Sequence, residues 1–256
     1  MGLLDFFGKR PLSEAKIAKI AKLAANPYAQ SDVRMREMER LLIDGSPAAL
    51  GGVLKRFAAN ANGHIADEDE KKWLENQLVN MGRDAVEPLR SFIRNEDKLT
   101  YALRAYRRLN GPEEAVRFFI EVLEHYGPED YRSGEAKLQV VWQLAENIED
   151  ARVLPALIPF LRDHSDDIAW AVMDLLEKGL TKNLVNDELR RAAATSFGEM
   201  VIESSIGPRI QRRAAEFLCA HEWPIESDAT ELATFLDEEY FLDKKKFVRR
   251  RARARG

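Results

Sequence analysis

The sequence predicts an all-α protein made of repeated helix pairs, which is an α-solenoid. Apolar residues recur at the i, i+3, i+4, i+7 spacing of one helix face in one segment after another. Strand-favouring residues do not form alternating runs, which argues against an all-β fold. Similar helix–loop–helix segments also return along the chain, and their anchors Val86, Val116 and Val153 lie 30 and 37 residues apart.

The clearest helix pair spans residues 153–179. Pro155 can be accommodated in the first helical turn, where N–H groups lack intrahelical partners, whereas Pro159 lies deeper and predicts a kink. The polar stretch RDHSDD separates the two helices, and Gly179 is expected to end the second one. The apolar faces consist of Leu154, Leu157, Ile158 and Leu161, then of Ile168, Ala171, Val172, Leu175 and Leu176.

The same plan recurs about five times, as expected for repeats that bury their faces on each other. Pro88 precedes Pro155 by 67 positions in an equivalent first helix. Further first helices are predicted from Leu50, Val53, Leu54 and Phe57, from Val116, Phe119, Ile120 and Leu123, and from Ala193, Phe197, Met200 and Val201. Further second helices are predicted from Leu74, Leu78 and Met81, from Leu138, Val141, Trp142 and Ala145, and from Ile210, Ala214, Phe217 and Leu218.

The stretch DARVLPALIPFLRDHSDDIAWAVMDLLEKG resembles a HEAT repeat of the short bacterial type. In that family a proline kinks the first helix and an acidic loop precedes the second. The stretches SPAALGGVLKRFA and DEDEKKWLENQLVNMGRDAVEPLRSFI also resemble bacterial HEAT-repeat proteins of unassigned role. The resemblance covers residues 31–222 and implies a fold without implying a chemistry. One departure is that Ala169 or Trp170 stands where the family places a basic residue.

The predicted organisation has three parts. Residues 1–30 form an amphipathic capping helix, with Ser13 as N-cap and Asn26-Pro27 as its stop. Residues 31–222 form the repeat domain. Residues 223–256 form a last helix through Ala229, Leu232, Ala233 and Leu236, a small hairpin around DKKK, and a basic tail.

Catalytic and metal-binding patterns are not evident in the sequence. It lacks a Gly-rich phosphate loop, GxSxG, CxxC and HExxH, so we predict no cofactor and no metal. The di-iron hydroxylase of deoxyhypusine, a HEAT-like family, uses several His-Glu pairs, whereas this chain has one, His221-Glu222. The single cysteine, Cys219, and the lack of a long apolar run or secretory signal favour a cytoplasmic protein.

The charge is distributed unevenly. Residues 1–243 hold 31 Lys and Arg against 43 Asp and Glu, whereas the tail is basic. Nucleic acid, an anionic membrane or an acidic protein would suit this tail, and a solvated terminus is the alternative. The basic tail residues are Lys244, Lys245, Lys246, Arg249, Arg250, Arg251, Arg253 and Arg255.

A partner-binding surface is predicted on one second helix. Arg104, Arg107 and Arg108 lie at i, i+3, i+4 beside Tyr101, and tyrosine with clustered arginine is typical of protein-interface anchors. Second helices line the concave side of HEAT solenoids, so the sequence favours a non-enzymatic interaction or scaffold protein. The alternative is a solvated face whose arginines pair with acidic neighbours.

A second reading is a nucleic-acid-binding HEAT protein. Trp170 and Asp174 share a helix face at i, i+4, which resembles the damaged-nucleotide site of HEAT-like alkylpurine DNA glycosylases. The alternative for these residues is packing between repeats. The acidic body favours packing, because DNA binding relies on a basic surface.

The first ten residues allow two interpretations. Leu3, Leu4, Phe6 and Phe7 either close the open end of the first repeat or insert into an anionic membrane. The cap is the favoured interpretation, since so short a segment buries little surface in lipid.

Overall fold

The computed structural model describes residues 12–203 and 205–252, and these residues are mostly helical. The all-α prediction is therefore confirmed. The chain divides into two compact units, Met1–Val122 and Leu123–Gly256. Their boundary lies inside the predicted repeat domain, and the predicted divisions after residues 30 and 222 stay predictions.

Unit 1 contains consecutive helices that pack on their neighbours in sequence. Helix α1 packs on α2 and α3, α2 also packs on α4, and α3 packs on α5. The helices are α1 (Glu14–Ala24), α2 (Ser31–Asp44), α3 (Pro47–Ala58), α4 (His64–Met81), α5 (Val86–Asn95, after a 3-10 turn at Gly82–Ala85) and α6 (Thr100–Tyr126), which continues past the unit boundary.

Helix α3 follows the local sequence rules closely. The Ser46 hydroxyl accepts a hydrogen bond from the Ala49 N–H at 3.3 Å, and Pro47 occupies the first turn. All four apolar residues predicted for this helix are buried: Leu50, Val53, Leu54 and Phe57. The predicted capping helix is also present as α1, although Ser13 makes no side-chain cap.

Helix α6 is broken at Gly111, which has φ 81° and ψ 168°. Only glycine adopts this conformation readily, and Pro112 then opens the second stretch with a preset φ. The break separates a predicted second helix from the next predicted first helix.

Unit 2 contains helices followed by a short hairpin. The helices are α7 (Gly134–Ala145), α8 (Val153–Leu157), α9 (Asp166–Thr181), α10 (Asp187–Ile202) and α11 (Pro208–His221). Strands β1 (Tyr240–Leu242) and β2 (Val248–Arg250) pair antiparallel, with Phe241 opposite Arg249. The predicted hairpin around DKKK is therefore confirmed.

Both prolines of the first helix in residues 153–179 act as predicted: Pro155 lies in the first turn of α8, and Pro159 lies where the α-helix is interrupted. Helix α8 ends at Leu157, and a 3-10 segment, Ile158–Arg162, continues from it. Pro159 has no N–H to donate, so a regular α-helix is interrupted there. Pro155 and Pro159 then line an outer cleft of about 400 Å³ between α8 and α10.

Three local predictions are wrong. Gly179 does not end α9, which continues to Thr181. The glycine instead permits close packing, since an ideal Cβ at this position would lie 2.7 Å from Leu154 Cδ1. The predicted helix through Ala229–Leu236 is a 3-10 turn at Thr234–Leu236 only, since the Ala233 N–H donates to the Val201 carbonyl instead of continuing a helix. Trp142, predicted in the core, is 55% exposed.

None of the helices described in residues 12–203 and 205–252 is long and apolar enough to span a membrane. Helix α1 buries Ile17, Ile20 and Ala24, and its Leu23 is 37% exposed. The proposed cap or membrane anchor at Leu3–Phe7 lies outside the described residues.

Candidate partner-binding surface

Tyr101 opens the first stretch of α6 and lies on a buried aromatic ring. Its ring stacks on Phe57 with centroids 5.6 Å apart and planes 18° apart. The Arg104 guanidinium lies 5.5 Å from the Tyr101 centroid. Burial raises the pKa of Tyr101 and the nearby Glu68 carboxylate raises it further, so the hydroxyl remains a donor at neutral pH.

Two exposed arginines converge on one buried carboxylate. The side chains of Arg104 and Arg108 are 43% and 46% exposed, whereas that of Glu75 in α4 is 2% exposed. Arg104 Nη2 lies 3.2 Å from Glu75 Oε2, and Arg108 Nη1 donates to Glu75 Oε1 at 2.8 Å. We call Tyr101, Arg104 and Arg108, together with Glu75, the Tyr101 surface.

Arg104, Arg108 and Glu75 give the Tyr101 surface a net charge of +1, and pairing with Glu75 restricts the positions of the two guanidinium groups. A guanidinium has five N–H donors, so pairing with Glu75 leaves both arginines able to bind a further acceptor. Arg108 is fixed more firmly, because it donates hydrogen bonds to Glu75 and, at 2.9 Å, to Asn76 Oδ1, whereas Arg104 makes an ion pair with Glu75 without a hydrogen bond. Arg107, predicted as part of the same cluster, is only partly exposed.

A buried charge cluster beneath this surface fixes α4 against α2 and α3. Its members, Arg34, Arg56, Asp67, Glu70 and Lys71, are all at most 9% exposed. Glu70 is its centre. It accepts hydrogen bonds from Arg34 at 2.6 and 2.8 Å and from Arg56 at 2.9 and 3.0 Å.

The remaining members complete the pairing. Arg56 Nη2 donates to Asp67 Oδ1 at 2.6 Å, and Lys71 Nζ donates to Asp67 Oδ2 at 2.8 Å. Burial opposes ionisation of Asp67, but hydrogen bonds from Lys71, from the Ala61 N–H and from Arg56 outweigh it and lower the pKa to about 2. Lys71 also lies 6.0 Å from the Tyr101 centroid, so the buried charge cluster borders the Tyr101 surface.

Sequence reasoning missed both Glu75 and the buried charge cluster. The charges of the segment Asp67–Lys72, acidic residues followed by lysines, also suit the macrodipole at a helix start, so they do not by themselves indicate burial. One signal was present: Glu70, Leu74 and Leu78 follow each other at four-residue intervals, which places Glu70 on the apolar face.

Trp170 and Asp174, the alternative nucleotide site, lie in an interhelical ion-pair cluster of unit 2. Arg209 and Arg213 of α11 lie over the Trp170 ring, 4.7 and 5.4 Å from its centroid. Arg213 Nη2 also lies 3.0 Å from Asp174 Oδ1 and 2.8 Å from Glu177 Oε2. The ring and the carboxylate are therefore both engaged by arginine, which joins α9 to α11.

Much of the basic tail is folded into the hairpin. Lys246 Nζ donates to the Ala229 carbonyl at 2.5 Å. Arg249 pairs with Glu222 at 2.9 Å and with Asp243 at 3.2 Å. Arg253 and Arg255 lie outside the described residues.

Comparisons with known proteins give little information about this chain. No family model and no curated protein matches the sequence. Among solved structures, human deoxyhypusine hydroxylase in complex with glycerol matches at 17% identity, over 82% of this chain and 86% of that chain, with a TM-score of 0.28. A TM-score this low carries no argument about fold or activity. Within the part of the chain that the structure describes, no group of three or more His, Cys, Asp or Glu is arranged to hold a metal ion.

Proposed function

We propose that the helix pairs of this chain are HEAT-like repeats and that the protein is an interaction or scaffold protein. Its Tyr101 surface binds a segment of a partner protein. The observation that carries the proposal is the pairing of two exposed arginines with the buried Glu75 carboxylate. An arginine that is already held loses less rotamer freedom on binding than a mobile one, so more of the interaction energy is retained as affinity.

The chemistry of the Tyr101 surface specifies the partner. Tyrosine and arginine are enriched among residues that dominate binding energy. The guanidinium donors left after pairing with Glu75 match a carboxylate, and Tyr101 offers a ring face and a hydroxyl. The partner segment therefore carries Asp or Glu next to an apolar residue.

The experiment first identifies the partner in the native cell. A photo-crosslinking residue replaces Lys72, whose side chain is 50% exposed on α4 and which follows Lys71, the residue whose Nζ lies 6.0 Å from the Tyr101 centroid. In a control variant the photo-crosslinking residue replaces Arg117 instead, whose side chain is 62% exposed and paired with Glu114. A protein crosslinked from position 72 and absent from position 117 is purified and titrated by calorimetry.

The titration compares two single substitutions. Arg104→Gln leaves Arg108 on Glu75, so helicity is retained, and we expect affinity to fall about 30-fold, the loss that marks a binding hot spot. Arg117→Gln should leave affinity unchanged. Equal affinities for the two variants, or the same crosslinked proteins from both positions, would refute the proposal.

The nucleotide-binding alternative is not favoured by the geometry. Its two residues, Trp170 and Asp174, are held by arginines of α11. That reading stays a prediction, and base release from alkylated DNA would test it.

A further inference from the structure

The two strands of the hairpin separate buried from exposed side chains. Tyr240 and Val248 are 1% exposed and face the helices. Side chains alternate along a strand, so Phe241, Arg249 and Arg251 lie on the opposite side, and Phe247 shares that side with them. We call Phe241, Phe247, Arg249 and Arg251 the hairpin face.

Each aromatic ring of the hairpin face lies beside a guanidinium. Arg251 Cζ is 5.5 Å from the Phe241 centroid, and Arg249 Cζ is 4.9 Å from the Phe247 centroid. Phe241 is 38% exposed. Aromatic faces and guanidinium planes are the surfaces on which unpaired bases stack in proteins that bind single strands.

The charge around the hairpin face suits phosphate. Residues 237–252 hold six Lys and Arg against four Asp and Glu, and Arg253 and Arg255 follow in the sequence. Two of the four carboxylates are already paired, Asp243 with Arg249 and Glu239 with Arg212. The other two, those of Asp237 and Glu238, precede β1 at the end away from the lysine turn.

Several of these cations have no carboxylate partner among the residues that the structure describes. They are Lys244, Lys245, Arg250 and Arg251. Arg251 Nε instead donates to two backbone carbonyls, at 2.5 Å to Asp237 and at 3.2 Å to Tyr240, which holds its side chain beside Phe241. The hairpin face therefore presents ordered rings with one cation, Arg251, that no described carboxylate neutralises, and the adjoining turn adds Lys244 and Lys245. Arg249, by contrast, is paired with Glu222 and Asp243.

We propose that the hairpin face binds single-stranded nucleic acid. Bases stack on Phe241 and Arg251, and phosphates contact Lys244 and Lys245 of the turn. An acidic peptide would use the cations and leave the rings without a role. A membrane would bury apolar rings in lipid, whereas Phe241 is only 38% exposed and both rings of the hairpin face are flanked by guanidinium groups. The hairpin face belongs to unit 2 and shares no residue with the Tyr101 surface of unit 1.

The test measures fluorescence anisotropy of a labelled oligothymidylate of about 12 nucleotides, a length within the range that one small binding surface covers. The full chain is titrated at several salt concentrations between about 50 and about 200 mM, because phosphate contacts make binding weaken as salt rises. We expect saturable binding that weakens with salt. An abasic strand of equal length should bind about tenfold more weakly, since it offers no base to stack.

Matched variants locate the site. Phe241→Leu keeps an apolar side chain in the hairpin but removes the ring, and we expect affinity to fall about tenfold. Lys245→Gln should make the slope of log Kd against log salt shallower by about 0.7, the value for one lost phosphate contact on a single strand. The control is Tyr131→Leu, because Tyr131 is 74% exposed and also has a guanidinium, that of Arg132, 5.7 Å from its ring.

Four results would overturn the proposal. They are an absence of oligonucleotide binding at low salt, equal affinity for the abasic strand, equal losses from Phe241→Leu and Tyr131→Leu, and capture by anionic vesicles that the oligonucleotide does not compete away. The vesicle result would assign the hairpin face to a membrane instead.

Discussion

Removing the Glu70 carboxylate takes a charge partner from two buried arginines of unit 1 and is expected to destabilise the unit strongly. Glu70 is 3% exposed and accepts hydrogen bonds from Arg34, Arg56 and the Ser31 hydroxyl. In Glu70→Ala, Arg56 keeps Asp67, but Arg34 keeps only the Ala29 carbonyl. Breaking a buried ion pair from one side costs about 3–5 kcal/mol, because the remaining charge stays buried without compensation.

Urea unfolding followed by circular dichroism measures this loss, and hydrogen exchange of α2–α4 locates it. The matched control is Glu68→Ala on the same helix. The Glu68 side chain is 43% exposed and pairs with Lys72 at 3.0 Å, so its removal should cost far less stability than removal of Glu70. If the two variants lose similar stability, the buried charge cluster does not hold α2, α3 and α4 together and the reasoning is wrong.

Three further predictions concern stability. The pKa of Asp67 is lowered from 3.8 to about 2 on folding, so this carboxylate contributes about 2 kcal/mol to the free energy of unfolding, which is present above the unfolded pKa and lost as pH falls through the folded pKa. Between about pH 5 and about pH 2 the urea midpoint should therefore fall less steeply in Asp67→Asn than in the parent protein, and an unchanged slope would contradict this. Gly179→Ala should destabilise the protein by about 1–3 kcal/mol, because the added Cβ meets Leu154. Gly51→Ala in α3 should stabilise it by about 0.5–1 kcal/mol, because nothing lies within 4 Å of the added Cβ. Stability changes of the same sign in both variants would refute the packing argument. Leu157→Ala should cost about 2–5 kcal/mol in thermal or urea unfolding, since Leu157 is fully buried, and an unchanged midpoint would show that the helix pair is wrongly assigned.

Helices with a clear apolar face could be predicted from the sequence. In α10 and α11 the predicted residues Phe197, Met200, Phe217 and Leu218 are all fully buried. Burial of apolar surface dominates folding, so the spacing of apolar residues alone indicates which face is covered.

Helix α2 escaped prediction because charged residues occupy its inward positions. Arg34 and Glu37 are both 2% exposed, as inward as Met38 and Leu41. A charge is normally expected in solvent, and it can be buried only if a partner meets it. The partner of Arg34 is Glu70, which lies 36 positions away, so local periodicity contains no information about the pair.

The candidate site could be predicted only in part, because some of its contacts also join residues that are distant in sequence. The exposure of Arg104 and Arg108 follows from their helical spacing, and the structure agrees. The pairing that fixes these two arginines does not follow from their spacing, because their partner Glu75 belongs to another helix and, in the sequence, is indistinguishable from a surface carboxylate. Trp142 shows the opposite error: it shares a predicted apolar face, yet more than half of it is exposed.

The buried charge cluster also limits which substitutions its positions can accept during evolution. A single substitution at Arg34, Arg56 or Glu70 leaves an uncompensated charge, whereas joint replacement of such a group by apolar residues of similar volume is often neutral or stabilising. Intermediate sequences between these two solutions are disfavoured, so the three positions should change together among homologues. An alignment in which Glu70 varies freely while both arginines persist would contradict that coupling.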